Sequence, residues 1–95
     1  MKVLWSPEAR QDLREIYVYL AADNPDAARA LQKRIKQSVA LLRENPQIGR
    51  PGRVPGTREL VVSGTSYIVP YQIWEKRLAL LRVYHTARKW PEQFH

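Results

Sequence analysis

Apolar residues recur at helical spacing twice in the first half of the chain and at strand-like spacing three times in the second. Ala9, Leu13, Ile16, Tyr17 and Leu20 form one stripe, while Arg10, Asp12, Arg14 and Glu15 fill the other side. That is the pattern of an amphipathic helix. Ser6-Pro7-Glu8 reads as its start, with Ser6 as N-cap, Pro7 at the first helical position and Glu8 at the positive end of the dipole. Asn24-Pro25-Asp26 stops this helix and caps a second one. There Ala28, Leu31, Ile35, Val39 and Leu42 form the stripe, and Arg29, Lys33, Arg34, Lys36 and Arg43 lie mostly toward solvent, up to an exit at Asn45-Pro46. So short a connection predicts an antiparallel helical hairpin.

Before the helices, Lys2 to Trp5 is a short β-like opening. After them, Ile48 to Thr57 is dense in Gly, Pro and Arg and reads as a basic surface loop. Three β-like runs follow: Arg58 to Val62, Tyr67 to Trp74 and Leu78 to Tyr84, broken at hairpin length by Ser63-Gly64-Thr65 and Glu75-Lys76-Arg77. Pro70 inside the second run predicts a bulge or an edge, because proline has no N–H for the ladder. In the last run Ala79, Leu81 and Val83 alternate with Leu78, Leu80, Arg82 and Tyr84. The all-apolar set is expected to face the helices, leaving Arg82 and Tyr84 on the opposite face. The order β-α-α-β-β-β predicts an α+β fold, a helical hairpin packed on a small antiparallel sheet, as one domain over residues 1–95.

Composition narrows the class. The 95 residues are 44% hydrophobic and 26% charged, which is globular rather than disordered composition. No run approaches the roughly 18 apolar residues of a membrane span, and no signal-peptide core follows Met1. With no cysteine there is neither a disulfide framework nor a thiolate metal site, so a reducing, cytoplasmic setting is expected. The net charge of +7 is unevenly placed: residues 1–48 carry eight bases and six acids, residues 49–95 eight bases and three acids. Eleven of the sixteen bases are Arg, which suits bidentate contact with phosphate or carboxylate. A polyanionic partner is implied, either nucleic acid or an acidic protein segment.

Chemistry is sparse. His85 and His95 lack spaced companions, so neither a metal nor another cofactor is expected. Glu8, Asp12 and Glu15 read as a solvated, salt-bridged helix surface. Gly49-Arg50-Pro51-Gly52 lacks the strand-to-helix context of a phosphate loop and reads as a turn. What remains is a cationic and aromatic set: Arg58, Arg82, His85, Arg88, Lys89 and Trp90, with Tyr67, Tyr71 and Tyr84 near in sequence. Metal-free RNA cleavage would need a base, an acid and cations for the crowded phosphate, all available from such residues. A protein-binding surface anchored by Trp and Arg would look the same. Arg82, inside an apolar run, needs a counter-charge: a partner's carboxylate, a phosphate, or an internal acid such as Glu59.

These residues in this order resemble the RelE/ParE superfamily of type II toxin–antitoxin toxins over nearly the whole chain. The resemblance rests on Trp5-Ser6-Pro7-Glu8-Ala9 with Asp12-Leu13 and Ile16, on Asn45-Pro46 with Gly49-Arg50, and on Gly52 through Val61. It continues through Tyr67-Ile68-Val69 with Tyr71, and through Leu81-Arg82-Val83 to His85-Thr86-Ala87-Arg88-Lys89-Trp90-Pro91. It implies growth arrest or plasmid stabilisation by a toxin neutralised by an acidic antitoxin, in a toxin–antitoxin hetero-oligomer away from membranes. The ending is more similar to the ParE branch, which implies inhibition of DNA gyrase by binding, with Arg58, Arg82, Tyr84, His85, Arg88, Lys89 and Trp90 as the surface that binds either the target or the antitoxin. The alternative is the RelE branch, a ribosome-dependent mRNA endonuclease that would use Arg58, Arg82, His85 and Tyr71. Against that branch, Leu60, Val61 and Val62 are apolar, Ile68 stands where it would place an Arg, and no Tyr follows Tyr84. Whether the chain is an enzyme is left open, on balance not. A third reading is a non-toxic module that only titrates an antitoxin.

Overall fold

In the computed structural model, which describes residues 1–94, the chain runs β1 (Lys2–Trp5), α1 (Pro7–Ala21), α2 (Pro25–Ala40), β2 (Arg50–Pro51), β3 (Arg58–Val61), β4 (Tyr67–Trp74), β5 (Arg77–Leu80) and β6 (Tyr84–His85), with a 3-10 turn at Leu41–Arg43. The caps form as the sequence suggests. The Ser6 hydroxyl accepts the Ala9 N–H at 2.9 Å, the Asn24 side chain accepts the Ala27 N–H at 3.0 Å, and Pro7 and Pro25 open their helices. Ile35, Val39, Leu42 and Leu13 sit in one core with Leu60, Val62, Val69, Tyr71, Leu78 and Leu80 from the sheet, so both helices cover one sheet face. Among the described residues no helix is long and apolar enough to cross a membrane.

The sheet is mixed rather than antiparallel. Its order is β1-β5-β4-β3-β2, and β1 pairs with β5 in parallel, Val3 opposite Leu78 and Trp5 opposite Leu80. Hairpin turns dictate the antiparallel β3–β4 and β4–β5 pairs. No turn ties β1 to its neighbour, and the intervening helices and strands supply the long crossover that a parallel pair requires. The loop before β3 is also less open than its composition suggests. Arg50 and Pro51 pair with Glu59 and Arg58, and Gly49 and Val54 are buried.

The predicted last strand is split. Tyr71 pairs with Leu80 and Ile68 with Tyr84, so two residues of β4 (69 and 70) face three on the other side (81–83). This is the irregularity expected at Pro70. The Pro70 carbonyl accepts the Leu81 N–H at 2.9 Å. Its nitrogen, with no hydrogen to give, therefore faces the break. One extra residue inverts the alternation. Leu78 and Leu80 face the core before the bulge and Val83 after it, whereas Ala79 and Leu81 do not, which corrects the expected facing. Tyr84 is buried, not presented to solvent.

Candidate functional site

The bulge at 81–83 lies against α1. Asp12, expected on the solvated side of that helix, is only 6% exposed. It accepts Arg82 Nε at 2.7 Å and Arg82 Nη2 at 2.8 Å, and its Oδ2 also accepts the Val83 N–H at 2.9 Å. The counter-charge of Arg82 is thus Asp12, not Glu59. A bidentate carboxylate raises the guanidinium pKa further above its ordinary value; burial opposes the shift and does not cancel it. Nearby, the Ser6 hydroxyl donates to the Leu81 carbonyl at 2.9 Å. The N-terminal half of α1 and the bulge are therefore held together by two polar residues, Ser6 at the cap and Asp12 in the second turn.

Beyond the bulge the tail folds back over Tyr84. The Trp90 ring meets Tyr84 edge-on at 5.0 Å, and Phe94 lies 6.3 Å from Tyr84. The guanidinium carbons of Arg82 and Arg88 stand 4.9 and 4.5 Å from the Tyr84 ring centroid. Arg53 stands 3.9 Å over Trp90. Arg53 also binds Glu59, a residue 2% exposed, through its backbone N–H at 2.8 Å and its Nε at 3.1 Å, and Arg50 Nε reaches the same carboxylate at 3.0 Å. Burial pushes the Glu59 carboxyl up, but the hydrogen bonds from Arg53 and Arg50 outweigh it and hold the group below the ordinary Glu value.

Between tail, bulge and first helical turn opens a cleft of about 570 Å³, its walls including Glu8, Arg82, Arg88, Lys89, Trp90 and Phe94. With Arg82 already matched by Asp12, Arg88 and Lys89 against Glu8 still leave the site favouring an anion, with aromatic edges available to an apolar group. Of the residues singled out in the sequence, Arg82, Tyr84, Arg88, Lys89 and Trp90 come together here. The indole nitrogen of Trp90 is buried with no hydrogen-bond partner among the described residues, so a bound acceptor would satisfy it.

The other candidates lie elsewhere. Tyr71 is fully buried; its hydroxyl accepts the Gly49 N–H at 2.9 Å and donates to the Pro46 carbonyl at 2.7 Å. Arg58, its cross-strand partner, donates to the carbonyls of Gly49 at 2.8 Å and Gln47 at 3.0 Å. Both residues staple the loop that precedes β2. Gly49 is required there, since a Cβ would stand 2.5 Å from the Tyr71 ring and 2.9 Å from the Glu59 carbonyl oxygen. His85, next to Tyr84 on a strand, faces the other way: it meets Tyr67 edge-on at 5.3 Å, and its Nδ1 accepts the Ala87 N–H at 3.1 Å. Burial, with a smaller contribution from Tyr19, raises the Tyr67 hydroxyl pKa, keeping that neighbour a neutral phenol. No cluster of metal-ligating side chains occurs among the described residues, and His95 lies outside them.

A second feature went unseen in the sequence. On the helix side, along the edge strand β1, a groove floored by Trp5, Leu13 and Val39 is rimmed by Arg10, Lys36 and Arg43, with no carboxylate in its lining. The helical stripes pointed to its floor; its existence depends on β1 being an edge, which only the tertiary pairing reveals.

Comparison with known proteins gives this architecture its class. It matches a chain of the chromosomal ParDE TA system from P. aeruginosa with a TM-score of 0.82 and 28% identity, covering 90% of this chain and 95% of that one. It also matches a chain of the toxin–antitoxin complex RelBE2 from Mycobacterium tuberculosis with a TM-score of 0.60 and 27% identity, covering 92% of each. Two helices on a mixed sheet are thus the fold of these toxin–antitoxin components. In sequence the chain is 41% identical over 91 residues to “Putative toxin Y4kP” of Sinorhizobium fredii (strain NBRC 101917 / NGR234), covering 96% of this chain and 94% of that protein. The family model described as the ParE toxin of the type II toxin-antitoxin system, parDE, matches residues 3–90, and the chain belongs to that family.

Proposed function

We propose that this protein arrests growth in the cytoplasm by binding DNA gyrase through the cationic aromatic cleft, with no chemistry of its own, and that an acidic antitoxin segment holds it in check. The observation that supports binding without catalysis is the dispersal of the candidate acid–base groups. Tyr71 has its hydroxyl saturated inside the core, Arg58 staples a loop, Arg82 is paired with Asp12, and His85 faces away from the cleft. A metal-free nuclease needs those groups within hydrogen-bond reach of one phosphate. The gyrase target rests on membership in the ParE family. For the antitoxin, the β1 groove offers an apolar floor and an all-cationic rim, which suits an amphipathic acidic segment.

The test is induction in cells that lack the antitoxin, with DNA and protein synthesis followed separately by pulse labelling, together with supercoiling assays on purified gyrase. DNA synthesis should fail first and supercoiling should be inhibited by the pure toxin. Protein synthesis failing first, with fresh breaks in translated mRNA, would overturn the reading in favour of the endonuclease. Continued growth with intact antitoxin binding would favour the non-toxic module.

A further inference from the structure

We propose that the helix-free face of the sheet binds single-stranded DNA, with Trp74 stacking on a base and Lys2 and Arg77 holding the flanking phosphates. The strand register defines the site. Trp74 pairs with Arg77 across the β4–β5 hairpin, and Arg77 pairs with Lys2 across the parallel β5–β1 pair. The alternate residues of these strands, Val3, Leu78 and Ile73, pack with the core, so Lys2, Arg77 and Trp74 form one row on the face away from the helices. The next row on that face is Leu4, Ala79 and Gln72. It is a shallow floor in which Leu4 stays exposed.

Three features of the row point to a ligand. Trp74 is 69% exposed, the largest apolar side chain so displayed on the sheet. It has no aromatic or cation–π partner among the described residues, although an arginine stands directly across from it. Lys2 and Arg77 are like charges in direct register, an arrangement that weakens a sheet, and neither has a carboxylate within ion-pair distance among the described residues. On the same face Glu59 is buried and already matched by Arg50 and Arg53, and Glu75, in the turn between Trp74 and Arg77, makes no ion pair among the described residues.

The occupant must therefore supply negative charge on either side of a flat ring. An acidic peptide satisfies the cations but leaves the indole face uncovered. In duplex DNA the bases are paired and stacked on one another, out of reach of a ring that projects from a flat sheet. A single strand offers both parts, and stacking needs no deep pocket. The row lies at the β4–β5 turn, apart from the bulge and tail that build the cleft, so the inference does not depend on the gyrase reading.

The test is fluorescence anisotropy of a short fluorescein-labelled oligodeoxythymidylate titrated with the purified chain in the absence of gyrase. The same oligonucleotide as a duplex and a labelled acidic peptide serve as comparisons. Trp74→Ala, at an exposed position where folding should be unaffected, should weaken single-strand binding about five- to hundred-fold. Arg77→Ala should reduce the log–log salt slope by about 0.7. Arg77→Glu should abolish binding, whereas Arg29→Glu on the solvent side of α2, with the same change in net charge, should not. Wild-type affinity in Trp74→Ala overturns the proposal, as does equal loss in Arg29→Glu and Arg77→Glu, or tighter binding of the duplex or the acidic peptide than of the single strand.

Discussion

Replacing Asp12 by Ala tests the bulge most directly. The change removes three acceptor contacts at once: two from Arg82, at 2.7 and 2.8 Å, and one from the Val83 amide at 2.9 Å. Breaking a buried ion pair from one side costs about 3–5 kcal/mol when the remaining charge has no access to water. Arg82 keeps a side-chain exposure of 26%, so water can reclaim part of its solvation, and removing Asp12 also relieves that carboxylate's own desolvation. The Val83 amide has no such relief, and a buried unpaired N–H costs about 1–3 kcal/mol. The net expectation is a destabilisation of about 2–4 kcal/mol, a large share of the roughly 5–15 kcal/mol available to a domain. For a domain this size it should lower Tm by roughly 10–25 °C. Urea denaturation followed by circular dichroism measures it, with a shifted midpoint and an unchanged slope. Glu15→Ala, on the exposed side of the same helix, should stay within about 0.5 kcal/mol of wild type. In the double mutant with Arg82→Ala the losses should fall short of additivity by about 1–3 kcal/mol. A loss under about 1 kcal/mol in Asp12→Ala, or full additivity, would refute the view that this pair fixes the bulge to α1.

Three further outcomes follow from the same structure. Glu59 has its carboxyl pKa lowered on folding, so as pH falls the unfolded chain takes up the proton first. The stability that Glu59 contributes is fully present above the ordinary Glu value of 4.5 and declines as pH drops through the lower folded value. The gap in urea midpoint between wild type and Glu59→Gln should therefore be widest near neutrality and close in acid. Tyr71→Phe strands the buried Gly49 N–H and should cost about 1–3 kcal/mol while leaving toxicity per folded molecule unchanged; loss of toxicity at full folding would revive the endonuclease. Arg88→Glu with Lys89→Glu reverses two exposed cations of the cleft and, on the function proposed above, should abolish inhibition in supercoiling assays on purified gyrase with little change in Tm in thermal melts.

Much of the fold was legible because local rules decided it. Ser6-Pro7 and Asn24-Pro25 are helix openings whose meaning does not depend on the rest of the chain, and the stripe of Ala28, Ile35, Val39 and Leu42 is buried as its spacing demands. Arg82, Tyr84, Arg88, Lys89 and Trp90 were legible as a group because they are close in sequence as well as in the cleft. The misreadings concern partners distant along the chain. Asp12 looks like surface until a residue seventy positions away reaches it. The parallel β1–β5 pair leaves no turn signature. Tyr71 and Arg58 look like chemistry because their residue types are reactive, and only the loop carbonyls of Pro46, Gln47 and Gly49 show that they are staples.

The bulge explains why the fold was easier to read than the site. An unbroken strand from Leu78 to Tyr84 would hold one alternation throughout, putting Leu80, Arg82 and Tyr84 on a common face with Leu78. Leu78 and Leu80 are core residues, so that register would drive Arg82 into the core. The extra residue opposite Pro70 releases Arg82 from that fate. It swings the guanidinium to the Asp12 carboxylate at the rim, returns Val83 to the core, and turns Tyr84 to the helix-free side, where Trp90 and Phe94 can close over it. A proline that removes one ladder donor thus sits opposite the bulge on which the cleft is built. The sequence signal of that construction is a single imino acid in β4, while the residues it rearranges lie a strand away. Periodicity, which reads each strand by itself, has no means of carrying the phase change across the pair.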